Sequence, residues 1–240
     1  MNVAAFFDVD GTLYRDSLMV EHFKKLIKYE VLDAAIWHGE AKKKFENWTK
    51  RHGDYEDYLL EIAESYLKNL KGVDRDYINF ITDQVIKLKG EKVYRYTRDR
   101  IKWHQKENHI VIFISGSPSF LVERMAKMYN VKYVKATEYL IDDKNRFTGQ
   151  LIPMWESASK IEAIEEFVNK LDIDLNASYA YGDTNGDFDM LKMVGNAVLI
   201  NPIKKLVDNI QADSSIRKKS KIIVERKDVI YNIPIDVEVI

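Results

Sequence analysis

Apolar and polar positions fall into two textures along this chain. Residues 3 to 13 read Val-Ala-Ala-Phe-Phe-Asp-Val-Asp-Gly-Thr-Leu, and the apolar start lacks polar alternation, as a parallel strand covered on both faces requires. From 17 to 108 the spacing becomes that of helices. Leu18, Phe23, Leu26, Ile27 and Val31 form one stripe, and Trp37, Ala41, Phe45 and Trp48 form a second. Tyr58, Leu59, Ile62, Tyr66 and Leu70 predict a third helix, capped by Asp54 and closed by Gly72. A fourth, opened by Asp74 or Asp76, carries Tyr77, Ile78, Ile81, Val85, Ile86 and Leu88 and stops at Gly90. Another runs from Glu91 to about Gln105. The aromatic residues of this stretch stand at helical spacing and read as core.

From Ile110 strands and helices alternate, the pattern of a parallel sheet. Ile110 to Ile114 is a buried strand ending in Ser115-Gly-Ser-Pro118, and Phe120, Leu121, Met125 and Met128 mark the helix after it. Val131 to Lys135 predicts a third strand, and Tyr139 to Asp142 with Phe147 to Ile152 a hairpin. Ser159-x-x-Glu162 fits a capping box, which puts Lys160 in a first helical turn. Ser178 to Tyr181 is a short strand ending in Gly182-Asp-Thr-Asn-Gly-Asp-Phe-Asp189, and Ala197 to Ile200 reads as the last sheet strand. Beyond a solvated basic cluster at Lys218 to Lys221, Ile222 to Val224 and Val229 to Tyr231 predict two short strands. The alternation from Ile233 to Ile240 suits an edge strand or, as a homodimer contact, pairing with a second copy. The whole predicts an α/β protein: a doubly wound parallel sheet with a Rossmann-like core from residues 1–14 and 90–215, an inserted all-helical cap at 15–89, and a strand-like tail at 216–240.

Composition narrows the function classes. The 240 residues are 46% hydrophobic and 31% charged with formal net charge −1, so no electrostatic footprint for nucleic acid is present. Apolar runs are far too short for a membrane span, and the N-terminus lacks a basic-then-apolar leader, which predicts a cytoplasmic protein. The absence of cysteine excludes thiolate catalysis and zinc-thiolate sites. His22, His38, His52, His104 and His109 lack metal-ligand spacing and read as packing or surface residues.

Candidate chemistry gathers at strand ends. Asp8 and Asp10 stand two apart, so in extended backbone both side chains point to one side and share a small volume. Like charges that close push their pKa values apart, which suits one acid to attack and the other to donate protons. Gly11 permits a tight turn, and Thr12 adds a hydroxyl donor to an anion site. In an open parallel sheet, ligands bind beyond the carboxyl ends of the strands. That rule collects Asp8 and Asp10 with Ser115, the Gly116 N–H, Lys160, Asp183 and Asp187. Acids, neutral donors and one cation are what phosphoryl transfer needs. Mg²⁺, a hard ion that takes oxygen ligands, could be held by Asp8, Asp183 and a backbone carbonyl. Singly these are ordinary features: an Asp-Gly turn, a Ser-Gly-Ser-Pro turn, a surface lysine, an Asx loop. Their joint occurrence at successive strand ends is not ordinary.

Asp8-Val-Asp-Gly-Thr, Ser115-Gly-Ser-Pro, Lys160 and Gly182-Asp-Thr-x-x-Asp187 resemble the four motifs of the haloacid dehalogenase-like superfamily. The helical insertion between the first two motifs is similar to that of the phosphoserine phosphatase-like branch. The resemblance implies a Mg²⁺-dependent phosphatase acting on a small phosphomonoester through an aspartyl-phosphate. It makes Asp8 the nucleophile and Asp10 the general acid/base, with the Asp10 carbonyl on the metal. It makes Ser115 and Lys160 phosphoryl ligands, Asp183 a metal ligand and Asp187 a support of the metal site. Two positions depart from the branch. Ser17 stands where its members carry a Glu for the substrate amine, and Gly186 where they have Asn, which separates the retained chemistry from serine-phosphate specificity. The alternative classes are a phospho-accepting receiver and a non-hydrolytic phosphate-binding protein on the same fold. Motif order and the long insertion speak against the receiver, and the presence of every reactive group speaks against the binder.

Overall fold

The computed structural model describes residues 1–53 and 55–239. The chain folds as two compact units, one from Met1–Asp16, Gly90–Thr137 and the residues from Pro153 on, the other from Ser17–Lys89 and Glu138–Ile152. Strand β1 (Ala4–Phe7) is buried along its length, as its unbroken apolar run requires. The second unit then contributes α1 (Leu18–Lys28), α2 (Ala34–His38), α3 (Glu40–Thr49), α4 (Tyr55–Leu70) and α5 (Arg75–Lys89). Ser17 caps α1 by accepting the Val20 N–H at 3.3 Å, and Asp74 accepts the Asp76 N–H at 2.8 Å where α5 begins. Asp54, the expected cap of α4, lies outside the described residues. The predicted stripes supply this unit's core: Phe23, Leu26, Ile62, Tyr66, Leu70, Ile78 and Ile81 are buried. Phe45 packs against Trp37 and Tyr58 with ring centroids 5.7 and 5.3 Å apart, but Trp37, Phe45 and Trp48 are only half-buried and Tyr77 and Phe80 are exposed. The reading of these aromatic residues as core therefore holds for Phe23, Tyr58 and Tyr66 and not for all of them.

The remaining elements are α6 (Arg95–Lys106), β2 (Ile110–Pro118), α7 (Ser119–Met128), β3 (Tyr133–Ile141), β4 (Phe147–Ile152), α8 (Ser157–Leu171), β5 (Tyr179–Gly182), α9 (Phe188–Met193), β6 (Asn196–Ile200), α10 (Lys204–Ala212), α11 (Ser214–Arg217), β7 (Ser220–Arg226) and β8 (Val229–Ile233). The strand order is β4-β3-β2-β1-β5-β6-β7-β8, parallel except for the two outermost strands, β4 antiparallel to β3 and β8 antiparallel to β7. The chain builds outward from β1 in one direction through β2 and β3, then in the other through β5, β6 and β7. The switch point therefore lies at β1, and its carboxyl end is where a ligand site belongs.

Four expectations change. The third strand and the first hairpin strand are one element, β3, whose residues from Glu138 on pair antiparallel with β4. This hairpin clusters with the helical unit, so that unit is not purely helical and residues 138–152 leave the sheet unit. Hydrogen bonds explain it: the Gly72 N–H donates to the Phe147 carbonyl at 2.7 Å and the Phe147 N–H to the Val73 carbonyl at 3.0 Å. Helix α8 starts at Ser157, ahead of the expected Ser159 box, and the Ser157 hydroxyl donates to Asp189 at 2.5 Å. Nor is the tail separate, and β6 is not the last sheet strand. β7 adds in parallel register to β6, Ala197 opposite Ser220, burying Ile222 and Ile223. The segment after β8 packs Ile235, Val237 and Val239 on the chain's own core. Glu225 of β7 accepts the N–H groups of Arg95 and Tyr96 at 3.0 and 2.9 Å, capping α6, and pairs with Arg15 at 2.6 Å. No helix among the described residues is long and apolar enough to cross a membrane.

A buried polar cluster braces the strands that lead to the carboxylates. Phe7 stacks on Tyr181 with centroids 4.1 Å apart, and the Tyr181 hydroxyl lies 2.8 Å from His104 Nε2. Arg100 Nε donates to that hydroxyl at 3.1 Å, and His104 Nδ1 lies 2.9 Å from His109 Nδ1. Burial, with Arg100 and His109 adding, pushes the His104 pKa down to about 3. Unfolded, the same imidazole titrates near ~6.5. The unfolded state thus binds the extra proton between those values, and His104's contribution to stability is complete above ~6.5 and lost as pH falls toward 3. Urea unfolding across a pH series should show stability falling more steeply in the wild type than in His104→Asn over that window. Equal slopes would remove His104 from the acid response.

Candidate active site

Past Phe7 the backbone leaves β1 through a tight loop, in which the Leu13 and Tyr14 N–H groups both return to the Val9 carbonyl, at 2.9 and 2.8 Å. Gly11 turns this loop at φ +79°, and a Cβ there would lie 2.0 Å from Asp183 Oδ2. Only glycine lets the loop and the carboxylate occupy that space. Thr12, fully buried, donates its hydroxyl to Asp183 Oδ1 at 2.9 Å. The Thr12 hydroxyl, expected as a donor to an anion site, is bonded here to a carboxylate oxygen of that site.

Strand β5 delivers Asp183, and a single 3₁₀ turn, Asn185–Asp187, brings Asp187 back over it. Asp187 Oδ2 accepts the N–H groups of Asp183 and Thr184, both at 3.1 Å, so this carboxylate ties its own loop. Gly182 makes the return possible, since a Cβ there would stand 2.5 Å from the Asp187 Cβ. The glycine at 186 has an equally local cause. A Cβ at that position would lie 3.2 Å from the Trp155 carbonyl oxygen, and one at Gly116 would lie 2.9 Å from the Trp155 Cβ. Trp155 thus packs between two motif loops, a contact that no spacing in the sequence announces.

Helix α8 lays Lys160 between the acids. Its ammonium donates to Asp187 Oδ1 at 2.5 Å and to Asp8 Oδ1 at 3.2 Å, with only 3% of the residue exposed. Asp8, Asp183 and Asp187 each offer an oxygen, and the three atoms lie within 4.8 Å of one another. One ammonium cannot balance three buried carboxylates. Burial pushes the Asp8 pKa up to about 8, Lys160 opposing and Asp187 and Asp10 adding. Asp183 is raised well above the usual carboxylate range by burial, then by Asp8 and Asp187. For Lys160 burial works against the charge, yet Asp187 and Asp8 outweigh it and hold the ammonium above its ordinary value. An excess of negative charge on an oxygen-only donor set is what a hard divalent cation neutralises, so these residues fit one.

Asp10 does not join this cluster. Its Oδ2 accepts the Ser117 hydroxyl at 2.6 Å, and it ranks behind burial, Lys160 and Asp187 among the influences on Asp8. Asp10 still adds to the rise of the Asp8 pKa, as two neighbouring acids should, while the carboxylate triad of Asp8, Asp183 and Asp187 is drawn from the end of β1 and the β5 loop. Ser115 and Gly116 stand at the end of β2, whose Phe113 is the register partner of Phe7. The Ser115 Oγ accepts the Ser117 N–H at 3.3 Å, and the Gly116 carbonyl accepts the Thr137 hydroxyl at 2.7 Å. Ser117 belongs to the Ser115-Gly-Ser-Pro118 motif, but nothing in its spacing names Asp10 as its acceptor, 107 residues away. Tyr94 also lies within reach of the site's field: burial and then Asp183 push its phenol up to about 12.

Known proteins resemble this chain in sequence and fold. An inhibition of morphological differentiation protein of Streptomyces azureus is 25% identical over 209 residues, covering 85% of this chain and 73% of that protein. A phosphoserine phosphatase of Mycobacterium tuberculosis is 26% identical over 216 residues, covering 86% and 67%. A solved phospho-aspartyl intermediate analogue of phosphoserine phosphatase has the same fold, with a TM-score of 0.63 at 18% identity and 95% of each chain covered. Residues 5–192, which span every carboxylate of the cluster, match the haloacid dehalogenase-like hydrolase family, and the chain belongs to that family.

Proposed function

We propose that this protein is a Mg²⁺-dependent phosphatase that hydrolyses a small phosphomonoester through an aspartyl-phosphate on Asp8. The observation that carries the reading is the buried set Asp8, Asp183 and Asp187 around the Lys160 ammonium at the sheet's switch point. The printed names of relatives, among them phosphoserine phosphatase, support it. An Asp8 oxygen attacks phosphorus as the bond to the leaving alkoxide breaks, and the Asp10 carboxyl gives that oxygen its proton. Asp10, now ionised, takes a proton from the water that attacks the phosphoryl group. The bond to Asp8 breaks, and inorganic phosphate leaves. Lys160, Ser115 and the Gly116 N–H hold the phosphoryl oxygens in this scheme, with Lys160 exchanging its contact to Asp8 for one to phosphate. A divalent cation held by Asp8, Asp183 and the Asp10 carbonyl, with Asp187 bracing the loop, would supply positive charge against the phosphoryl oxygens.

Three outcomes check this account. Thorough chelation should abolish turnover of p-nitrophenyl phosphate and added Mg²⁺ should restore it, whereas undiminished activity would remove the metal from the reaction. Asp10→Asn should release a burst of p-nitrophenol and then turn over slowly, with kcat reduced by about 10²- to 10⁴-fold, while Asp8→Asn gives no burst. A parent rate in Asp10→Asn would refute the division of labour. In a panel of phosphomonoesters, phosphoserine should not rank first, because Ser17 caps α1 and brings no carboxylate to an ammonium. Phosphoserine ranking first would place the amine-binding group elsewhere.

A further inference from the structure

We infer that Ser117 positions the Asp10 carboxyl for proton transfer, an inference that rests on the phosphatase reading. Ser117 lies at the end of β2, 6% exposed, and donates its hydroxyl to Asp10 Oδ2 at 2.6 Å. Its N–H donates to the Ser115 Oγ at 3.3 Å. One residue at the end of β2 is therefore bonded both to the proposed acid/base and to a proposed phosphoryl ligand. The β1 and β2 register, Phe7 opposite Phe113, brings the two strand ends side by side and makes this reach possible.

The physical need is specific. Asp10 sits in the loop after β1, and a carboxyl turned about its last torsion misplaces the proton relative to the leaving oxygen. A buried hydroxyl bonded to one carboxyl oxygen fixes that torsion. The bond also explains why Asp10 stays beside the triad of Asp8, Asp183 and Asp187 instead of joining it. Ser117 touches neither phosphorus nor the leaving group in this scheme, and it acts through Asp10.

The test compares the full-length wild type, Ser117→Ala and Ser117→Thr, each with saturating Mg²⁺, on p-nitrophenyl phosphate and phenyl phosphate. The two esters share a ring and a phosphoryl group, but phenolate is the poorer leaving group and needs the acid more. Ser117→Ala should lower kcat/KM, which reads the acid-assisted transfer to Asp8 and not the later hydrolysis common to both esters, about tenfold on phenyl phosphate and clearly less on p-nitrophenyl phosphate. Ser117→Thr, which keeps the hydroxyl, should restore the leaving-group ratio. Melting temperatures identify a variant that fails to fold, and the ratio of the two rates within each folded variant remains diagnostic. Equal losses of kcat/KM on both esters, or a Thr variant with the Ala ratio, would each overturn the inference. If the wild type hydrolyses neither ester, the phosphatase reading fails first and the role of Ser117 falls with it.

Discussion

A buried ammonium set among three buried carboxylates is the constraint on which this site depends. Lys160 bonds Asp187 and Asp8 at once, and Asp183 stands in the same cluster. Burying charges without full compensation is costly, so the arrangement is stable only with further positive charge or with protons on the acids. The upward shift of Asp8 and Asp183 expresses that cost. A catalytic reading turns the same cost into function, because a site that demands positive charge is one in which a cation and a phosphoryl group can be held together.

The scaffold is built to hold this unfavourable cluster in place. Gly11 and Gly182 let backbone and carboxylates approach more closely than any side chain would allow, and Thr12 and the loop N–H groups fix individual oxygens. Behind them the Asp8 N–H donates to the Tyr181 carbonyl at 3.0 Å, joining the ends of β1 and β5. The Phe7 and Tyr181 stack and the Arg100, His104 and His109 cluster stiffen the same two strands. Glu225, from the segment that the sequence marks as a strand-like tail, caps α6 and pairs with Arg15 shortly before the chain leaves the sheet unit.

The buried strands, the helical stripes and the motif residues Asp8, Lys160, Asp183 and Asp187 were legible in the sequence because each follows from a local pattern: unbroken apolar runs, a 3.6-residue period, acids at strand ends. What stayed illegible depends on long-range contacts. The transfer of residues 138–152 to the helical unit rests on the pairing of Phe147 with the Gly72 turn, and the place of β7 rests on its register with β6. Thr12 could be read as a donor but not assigned its acceptor, Asp183, 171 residues away. Trp155 leaves no spacing signal at all, since it contributes packing beside Gly116 and Gly186.

The central claim is that phosphate passes through a covalent bond to Asp8, and it can be examined by trapping that bond. Reducing the protein with borohydride during turnover of p-nitrophenyl phosphate converts an acyl phosphate on an aspartate to homoserine, which peptide mass spectrometry locates. The account predicts homoserine at position 8, dependent on substrate and on Mg²⁺. Homoserine at Asp10 or Asp183, or sustained turnover with no residue trapped, would contradict it.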